Sequence, residues 1–87
     1  APRLAQLSDD VLFGQVWDHP DLSRRDRSLV TVAALVALNR TEQLPFHLQL
    51  AEKHGLTRAE LTETVTHLAF YAGWPCAASA VRLLGEQ

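Results

Sequence analysis

A ten-residue apolar run from Leu29 to Leu38 is the feature that most constrains how this sequence folds. Only Thr31 interrupts it, and it belongs to a predicted helix that begins after Ser23. The run leaves this helix without a polar face, and a helix that is apolar all round is buried all round. A chain of 87 residues has little protein with which to surround it. We therefore expect one side to pack within the subunit and the other against a second copy; a central helix wrapped by its own chain is the alternative.

Composition and charge exclude several classes of protein. The sequence is 47% apolar and 21% charged, which is typical of one folded domain, here residues 1–87. The net charge of −2 offers no basic surface for nucleic acid. The apolar run is half the length that crosses a membrane, so no membrane association is expected. The single cysteine excludes an internal disulfide framework and fits a cytoplasmic protein.

Capping and helix-ending residues divide the sequence into five predicted helices, and no segment alternates as a strand would. The first helix is predicted over Asp9 to Trp17, and the fifth begins at Trp74-Pro75. The predicted N-caps of the first four helices are Ser8, Ser23, Thr41 and Thr57. The glycines predicted to end the last three are Gly55, Gly73 and Gly85.

Histidine and glutamate on the third predicted helix are the first candidates for chemistry. His47 shares a face with Leu44, Ala51 and His54, which are spaced three or four residues apart. It is either a hydrogen-bonded core histidine or a proton-transfer group. Glu42 lies at the positive end of the same helix, where it complements the helix dipole or acts on His47.

Three arginines crowd the start of the second helix, where cations oppose the helix dipole. Helix formation therefore does not explain Arg24, Arg25 and Arg27. Arg27 adjoins the apolar run, so its planar guanidinium is a candidate for holding a carboxylate. The alternative is a solvated cluster paired with neighbouring acids.

Cys76 and three aromatic residues complete the candidate set. Cys76 lies in the first turn of the fifth helix, as a small packed residue or as a thiol favoured by the helix dipole. Trp17, Tyr71 and Trp74 suit the wall of a small-ligand pocket as well as a small core. The histidines and Glu63 supply metal-ligand types but no recognised spacing, so we expect no metal site.

Five separated blocks, in this order, resemble the carboxymuconolactone decarboxylase family, and the resemblance runs from about Leu4 to Leu84. The blocks are Leu12 to Trp17, Leu22 to Thr31, Arg40 to Leu44 with His47 and Ala51, Gly55 to Thr57, and Tyr71 to Pro75. The resemblance implies a compact all-α bundle like that of alkylhydroperoxidase D. It also implies an obligate homo-oligomer, a homotrimer or homohexamer, with pockets at or near the subunit contacts.

The resemblance also implies an activity. Decarboxylase members convert 4-carboxymuconolactone to the enol-lactone of 3-oxoadipate, without a cofactor, in the bacterial degradation of aromatic compounds. On that basis the substrate is a small carboxylate, Arg27 binds the anion, His47 transfers the proton and Glu42 orients or tunes His47. Trp17, Tyr71, Trp74 and Cys76 would line the pocket.

Peroxidase members of the family carry a CxxC-x3-His motif, and His47 matches its histidine. Arg40 and Gln43 occupy the two cysteine positions, so a peroxidase of that type is not expected. Many decarboxylase members have an acidic residue where Gln43 stands, and an N-terminal extension before the Phe13-Gly14 block. Two other functions stay open: an oxidoreductase that uses Cys76 with an external thiol, and a non-catalytic oligomeric binding subunit.

Overall fold

The computed structural model describes residues 1–85, and these form helices joined by short turns, without a strand. Helix α1 spans Pro2–Leu7 and continues directly into a π-helical segment, Ser8–Val16; together they form the N-terminal arm. The remaining helices are α2 (Arg24–Ala37), α3 (Leu44–Lys53), α4 (Arg58–Ala72) and α5 (Trp74–Leu84). The predicted all-α bundle is confirmed. None of the described helices is both long and apolar enough to cross a membrane.

Helices α2 to α5 pack into one bundle, with the closest pairings between α4 and α5 and between α2 and α3. A single core of aliphatic side chains lies between them. Helix α2 contributes one buried stripe, Ser28, Val32 and Val36, at intervals of four residues. Its opposite face stays exposed in the single chain: Val30 is 59% exposed and Leu38 is 64% exposed. The predicted burial of one side within the subunit is confirmed, and the second-copy contact stays a prediction.

Several predicted helix ends are confirmed by backbone geometry. The Ser23 side chain accepts a hydrogen bond from Asp26 N at 3.0 Å, and Thr57 and Glu60 form the complete capping box of α4. Gly55 has φ of +102°, and Leu56 N donates to Ala51 O at 3.0 Å, which is the bond of a Schellman motif. Asn39 ends α2 in the left-handed region in the same way.

Two predicted helix starts are wrong. Ser8 does not cap the first helix, because the chain is already helical from Pro2 and Ser8 has φ of −61° and ψ of −44°. An N-cap needs an extended backbone, as Ser23 has. Thr41 does not cap α3 either, because residues 41–43 form a turn and the helix begins at Leu44.

The arm is almost detached from the bundle. None of the residues from Pro2 to Val16 is buried, and Trp17, which follows directly, is only 7% exposed. Gly14 permits the wide π turn, because a Cβ there would lie 3.0 Å from the carbonyl oxygen of Asp9. Trp17 is therefore the residue that fixes the arm to the bundle.

Candidate active site

Trp17 is the centre of the candidate site. Its indole lies nearly parallel to the imidazole of His47, with ring centroids 6.4 Å apart and an interplanar angle of 21°. The His54 ring lies 5.8 Å from the same indole. His47 and His54 are seven residues apart on α3, so both project from the side of α3 that faces Trp17. The structure thus brings together the predicted pair Trp17 and His47, and it adds His54.

His47 is half-buried, and its Nδ1 atom is fully buried without a hydrogen-bond partner in the described chain. Phe46 packs edge-on against the ring at 5.1 Å. Burial lowers the pKa of His47 below its usual value of 6.5, since removing water disfavours the charged imidazolium. A buried polar atom without a partner is uncommon in a native fold, which makes His47 a candidate for a functional role.

Arg27 differs from its two neighbouring arginines. Arg24 pairs with Asp18, and Arg25 pairs with Asp26 and Glu60, so the predicted alternative of a solvated, paired cluster is confirmed for these two. Arg27 has no carboxylate partner among residues 1–85. Its Nε donates to Leu22 O at 3.2 Å and one terminal nitrogen donates to His19 O at 3.0 Å, which leaves donors available.

Arg27 lines a cavity of about 210 Å³. The other residues that line the cavity are mostly apolar. They are Leu12, Val16, Trp17, Leu22, Val30 and Thr31. An unpaired guanidinium in a largely apolar cavity is suited to one small anion. His47 does not line this cavity; it contacts the indole that forms its wall.

Within the single chain, Glu42 makes no contact with His47 of the kind that the sequence predicts. Because α3 begins at Leu44, Glu42 lies in the preceding turn and is exposed. It makes no hydrogen bond to the buried Nδ1 of His47. Burial alone lowers the pKa of His47, so Glu42 neither orients that ring nor tunes it in the single chain.

The remaining predicted pocket residues lie elsewhere. Helices α2 and α4 run in the same direction, because Arg25 pairs with Glu60 near their starts while Ala33 and His67 line a common groove further along. In this register Tyr71 lies level with the C-terminal end of α2 and Trp74 lies beyond it, whereas Arg27 lies near the start of α2. Arg27 and Ala37 are ten residues apart, which is about 15 Å along a helix. One subunit therefore keeps these groups apart.

We call the exposed aromatic residues at the end of α4 and the start of α5 the aromatic end; they are Phe70, Tyr71 and Trp74, and the Phe70 and Trp74 rings lie 5.5 Å apart. Tyr71 is 79% exposed and Trp74 is 66% exposed. Cys76 is buried nearby in sequence, and its thiol donates to Gly73 O at 3.1 Å. It behaves as a packed residue in this chain.

Sequence reasoning missed one contact at the site. Ser28 Oγ lies 2.7 Å from His54 Nδ1, between α2 and the end of α3. The signal was a serine on a stripe of buried aliphatic residues, since a buried hydroxyl needs a partner. Among residues 1–85, no three histidine, cysteine, aspartate or glutamate side chains cluster as a metal site requires.

Comparisons with known proteins show which family the chain belongs to. The model of the carboxymuconolactone decarboxylase family matches residues 2–86. The chain is 42% identical over 74 residues to 4-carboxymuconolactone decarboxylase of Acinetobacter baylyi, which is 85% of this chain and 55% of that protein. It is 33% identical over 76 residues to nitrosuccinic acid decarboxylase of Metarhizium robertsii, which is 87% of this chain and 53% of that protein. The chain spans about half the length of these curated relatives. It belongs to the carboxymuconolactone decarboxylase family.

Proposed function

We propose that this chain carries the active site of a cofactor-independent decarboxylase for a small carboxylic acid such as 4-carboxymuconolactone. The observation that carries the proposal is Arg27, a guanidinium without a carboxylate partner in the described chain, at a cavity walled by Trp17. The names of both relatives support a decarboxylation of a small acid. A cytoplasmic role in the degradation of aromatic compounds is part of this proposal.

Arg27 binds one carboxylate of the substrate in this mechanism. The guanidinium is already held by two backbone carbonyls, so it meets the anion without reorganising. Once another copy covers the cavity, its apolar wall excludes water, and the low-dielectric environment favours the transition state, in which charge spreads from the carboxylate into the lactone. The bond to the departing carboxylate breaks, CO2 leaves, and the electron pair stays on the substrate carbon.

His47 then supplies the proton that the carbon requires. The free protein holds this imidazole largely neutral near pH 7, because burial lowers its pKa. A substrate carboxylate beside the ring favours the imidazolium and so raises that pKa when it binds. Proton delivery by a positioned histidine contributes about 10²- to 10⁴-fold to such reactions.

Assembly of several copies completes the site in this proposal. The cavity at Arg27 is smaller than most ligand pockets, which hold about 300 Å³ or more, and His47 lies outside it. The aromatic end and the exposed face of α2 are uncovered in one subunit. A homotrimer or homohexamer would cover them and bring Tyr71 and Trp74 of one copy towards Arg27 and His47 of the next.

One observation favours a second function, a non-catalytic binding subunit. His47 does not line the Arg27 cavity, so within a single chain the proton donor and the anion site are not in one space. The oxidoreductase alternative has less support, because the only thiol in the sequence is buried and hydrogen-bonded to a backbone carbonyl.

The test is decarboxylation of 4-carboxymuconolactone, followed by loss of the lactone absorbance together with release of CO2. Wild type, His47→Ala and the control Gln49→Ala are compared; Gln49 is an exposed polar residue of the same helix, α3. We expect activity in the wild type and in the control, and a loss of about 10²-fold or more in His47→Ala. Anion binding without turnover by the wild type would favour the binding subunit. Full activity of His47→Ala would remove His47 from the mechanism.

A further inference from the structure

Ser28 is the only polar residue that is buried in the described chain, and its hydroxyl is used in an unusual way. Thr31, Thr64 and Thr66 each donate their hydroxyl to the carbonyl four residues earlier. Ser28 instead bonds across to another helix, with Oγ 2.7 Å from Nδ1 of His54. We assign the hydroxyl as the donor and Nδ1 as the acceptor, which fixes the orientation of the imidazole.

The fixed ring of His54 packs against the indole of Trp17. His54 is the C-cap residue of α3, and its ring centroid lies 5.8 Å from that of the indole. His47 contacts the same indole at 6.4 Å from two helical turns earlier. The two histidines are about 10.5 Å apart along α3, so the indole bridges the interval between them.

The indole of Trp17 also packs against the imidazole of His47. Trp17 and Phe46 are the two aromatic rings that contact this imidazole, and its Nδ1 atom is buried and has no hydrogen-bond partner in the described chain. Trp17 stands at the end of an arm that has no buried residue, and the arm's own ring contact to the indole is that of Phe13, which is 38% exposed and lies 5.9 Å away. A half-exposed ring on the same arm does not fix the indole to the bundle, so the His47 and His54 contacts are the ones that do.

We propose that Ser28 and His54 are a positioning pair that holds the indole of Trp17 against His47. Neither residue touches substrate. A nucleophilic serine is not an alternative, because Ser28 is 0% exposed and no substrate reaches its Oγ. The value of the pair for catalysis rests on the proposed function, whereas its effect on Trp17 and His47 does not.

Few charged or titratable groups lie near His47 in the described chain. Both rings packed on it, Trp17 and Phe46, are non-ionisable, and no described side chain forms an ion pair with it. On the other elements, His54 faces the same indole and Arg27 lies at the cavity that the indole lines. Displacing the indole therefore acts on His47 chiefly by admitting water.

The test uses two variants and a matched control. Ser28→Ala removes the hydroxyl, and His54→Asn removes the ring but keeps an amide that Ser28 can bond. Ser79→Ala is the control, since it deletes a serine hydroxyl on α5 that bonds only the Pro75 carbonyl. All are made in a Trp74→Phe background, which leaves Trp17 as the single tryptophan of the two in the sequence. Acrylamide quenching reports the indole, and NMR titration of the histidine rings reports His47.

We expect the indole to be detached about two- to tenfold more often in Ser28→Ala, the factor that one hydrogen bond supplies. Quenching rises accordingly, and the pKa of His47 moves up towards 6.5 because water reaches its ring. His54→Asn gives the same changes, and Ser79→Ala gives neither.

Quenching and a His47 titration that match the control in both variants would overturn the proposal. If Ser28→Ala does not fold, His54→Asn decides the matter alone, because it keeps a partner for the Ser28 hydroxyl. Neither readout needs turnover, so a wild type without decarboxylase activity would remove the proposed function and leave this test intact.

Discussion

At the scale of single residues, the account depends on an imidazole with a buried, unpaired Nδ1 and a guanidinium without a carboxylate. Leaving a polar atom buried and unpaired costs about 1–3 kcal/mol, and His47 carries such an atom in this fold. Arg27 is held at the cavity by two carbonyls rather than neutralised by an acid. The Arg27 guanidinium is an arrangement that a bound carboxylate would improve.

The lowered pKa of His47 predicts the pH dependence of the reaction. The proton donor is the imidazolium, so kcat/KM falls as the pH rises through the pKa of the free protein, which lies below 6.5. The corresponding fall in kcat occurs at a higher pH, because bound substrate raises the pKa of His47. Steady-state rates between about pH 5 and pH 8 check both limbs. A kcat/KM that stays constant across this range would contradict the role of His47.

Arg27 and Arg24 form a matched pair for testing anion binding. Charged hydrogen bonds contribute about 1.5–3 kcal/mol, so Arg27→Ala should lower kcat/KM by about ten- to a hundredfold. Arg24→Ala should leave kcat/KM within about twofold, because Arg24 pairs with exposed Asp18 and such surface pairs contribute little. Equal effects of the two substitutions would contradict a specific anion site.

The sequence predicted residue types better than it predicted their contacts. Arg27 was separable from Arg24 and Arg25 because it adjoins the apolar run, and the structure keeps that distinction. The sequence pairs Glu42 with His47 through a helix whose predicted start lies two residues before the observed one. The Ser28 to His54 bond joins positions 26 apart, and no local pattern specifies which partner a buried hydroxyl finds.

At the scale of elements, local signals succeeded where one side chain decides the backbone. The capping box of Thr57 and Glu60 and the left-handed Gly55 need only neighbouring residues, and both are confirmed. The first helix failed because Ser8 has the right chemistry for a cap, while the residues before it already form a helix. The π-helical geometry of the arm has no periodic signature that the sequence displays.

The capping box offers a direct stability test. Thr57 accepts from Glu60 N at 3.1 Å, and Thr57 N donates to the Glu60 carboxylate at 2.9 Å. Thr57→Ala should lower the free energy of unfolding by about 1 kcal/mol. Thr66→Ala is the control, an exposed threonine inside the same helix, and alanine there has the higher helix propensity. Urea unfolding measures both, and an equal stability of Thr57→Ala and wild type would contradict the role of the cap.

Acid should weaken the same cap. The backbone hydrogen bond from Thr57, with a smaller contribution from Arg25, lowers the pKa of Glu60. The folded state therefore binds this proton less readily than the unfolded state, so the stabilisation is present above about pH 4.5 and is lost as the pH falls through the folded pKa. Glu60→Gln should reduce this acid dependence in the same urea experiment.

At the scale of the whole molecule, one side of α2 is buried in the core of the bundle, and the other side exposes apolar side chains. The core stripe of α2 is buried within the chain, whereas Val30 and Leu38 are mostly exposed. The aromatic end, Phe70, Tyr71 and Trp74, is exposed as well. The sequence could predict that α2 has too much apolar surface for one subunit, but the identity of what covers it depends on contacts between copies.

Sedimentation at micromolar concentration tests the central claim, that copies of the chain assemble and cover this surface. The account predicts a particle at least about three times the 9.7 kDa of one chain. Leu38→Lys should dissociate it by placing a charge on the exposed face of α2, whereas Gln49→Lys, at an exposed polar position on α3, should not. A well-folded wild-type chain that sediments at 9.7 kDa would contradict the account.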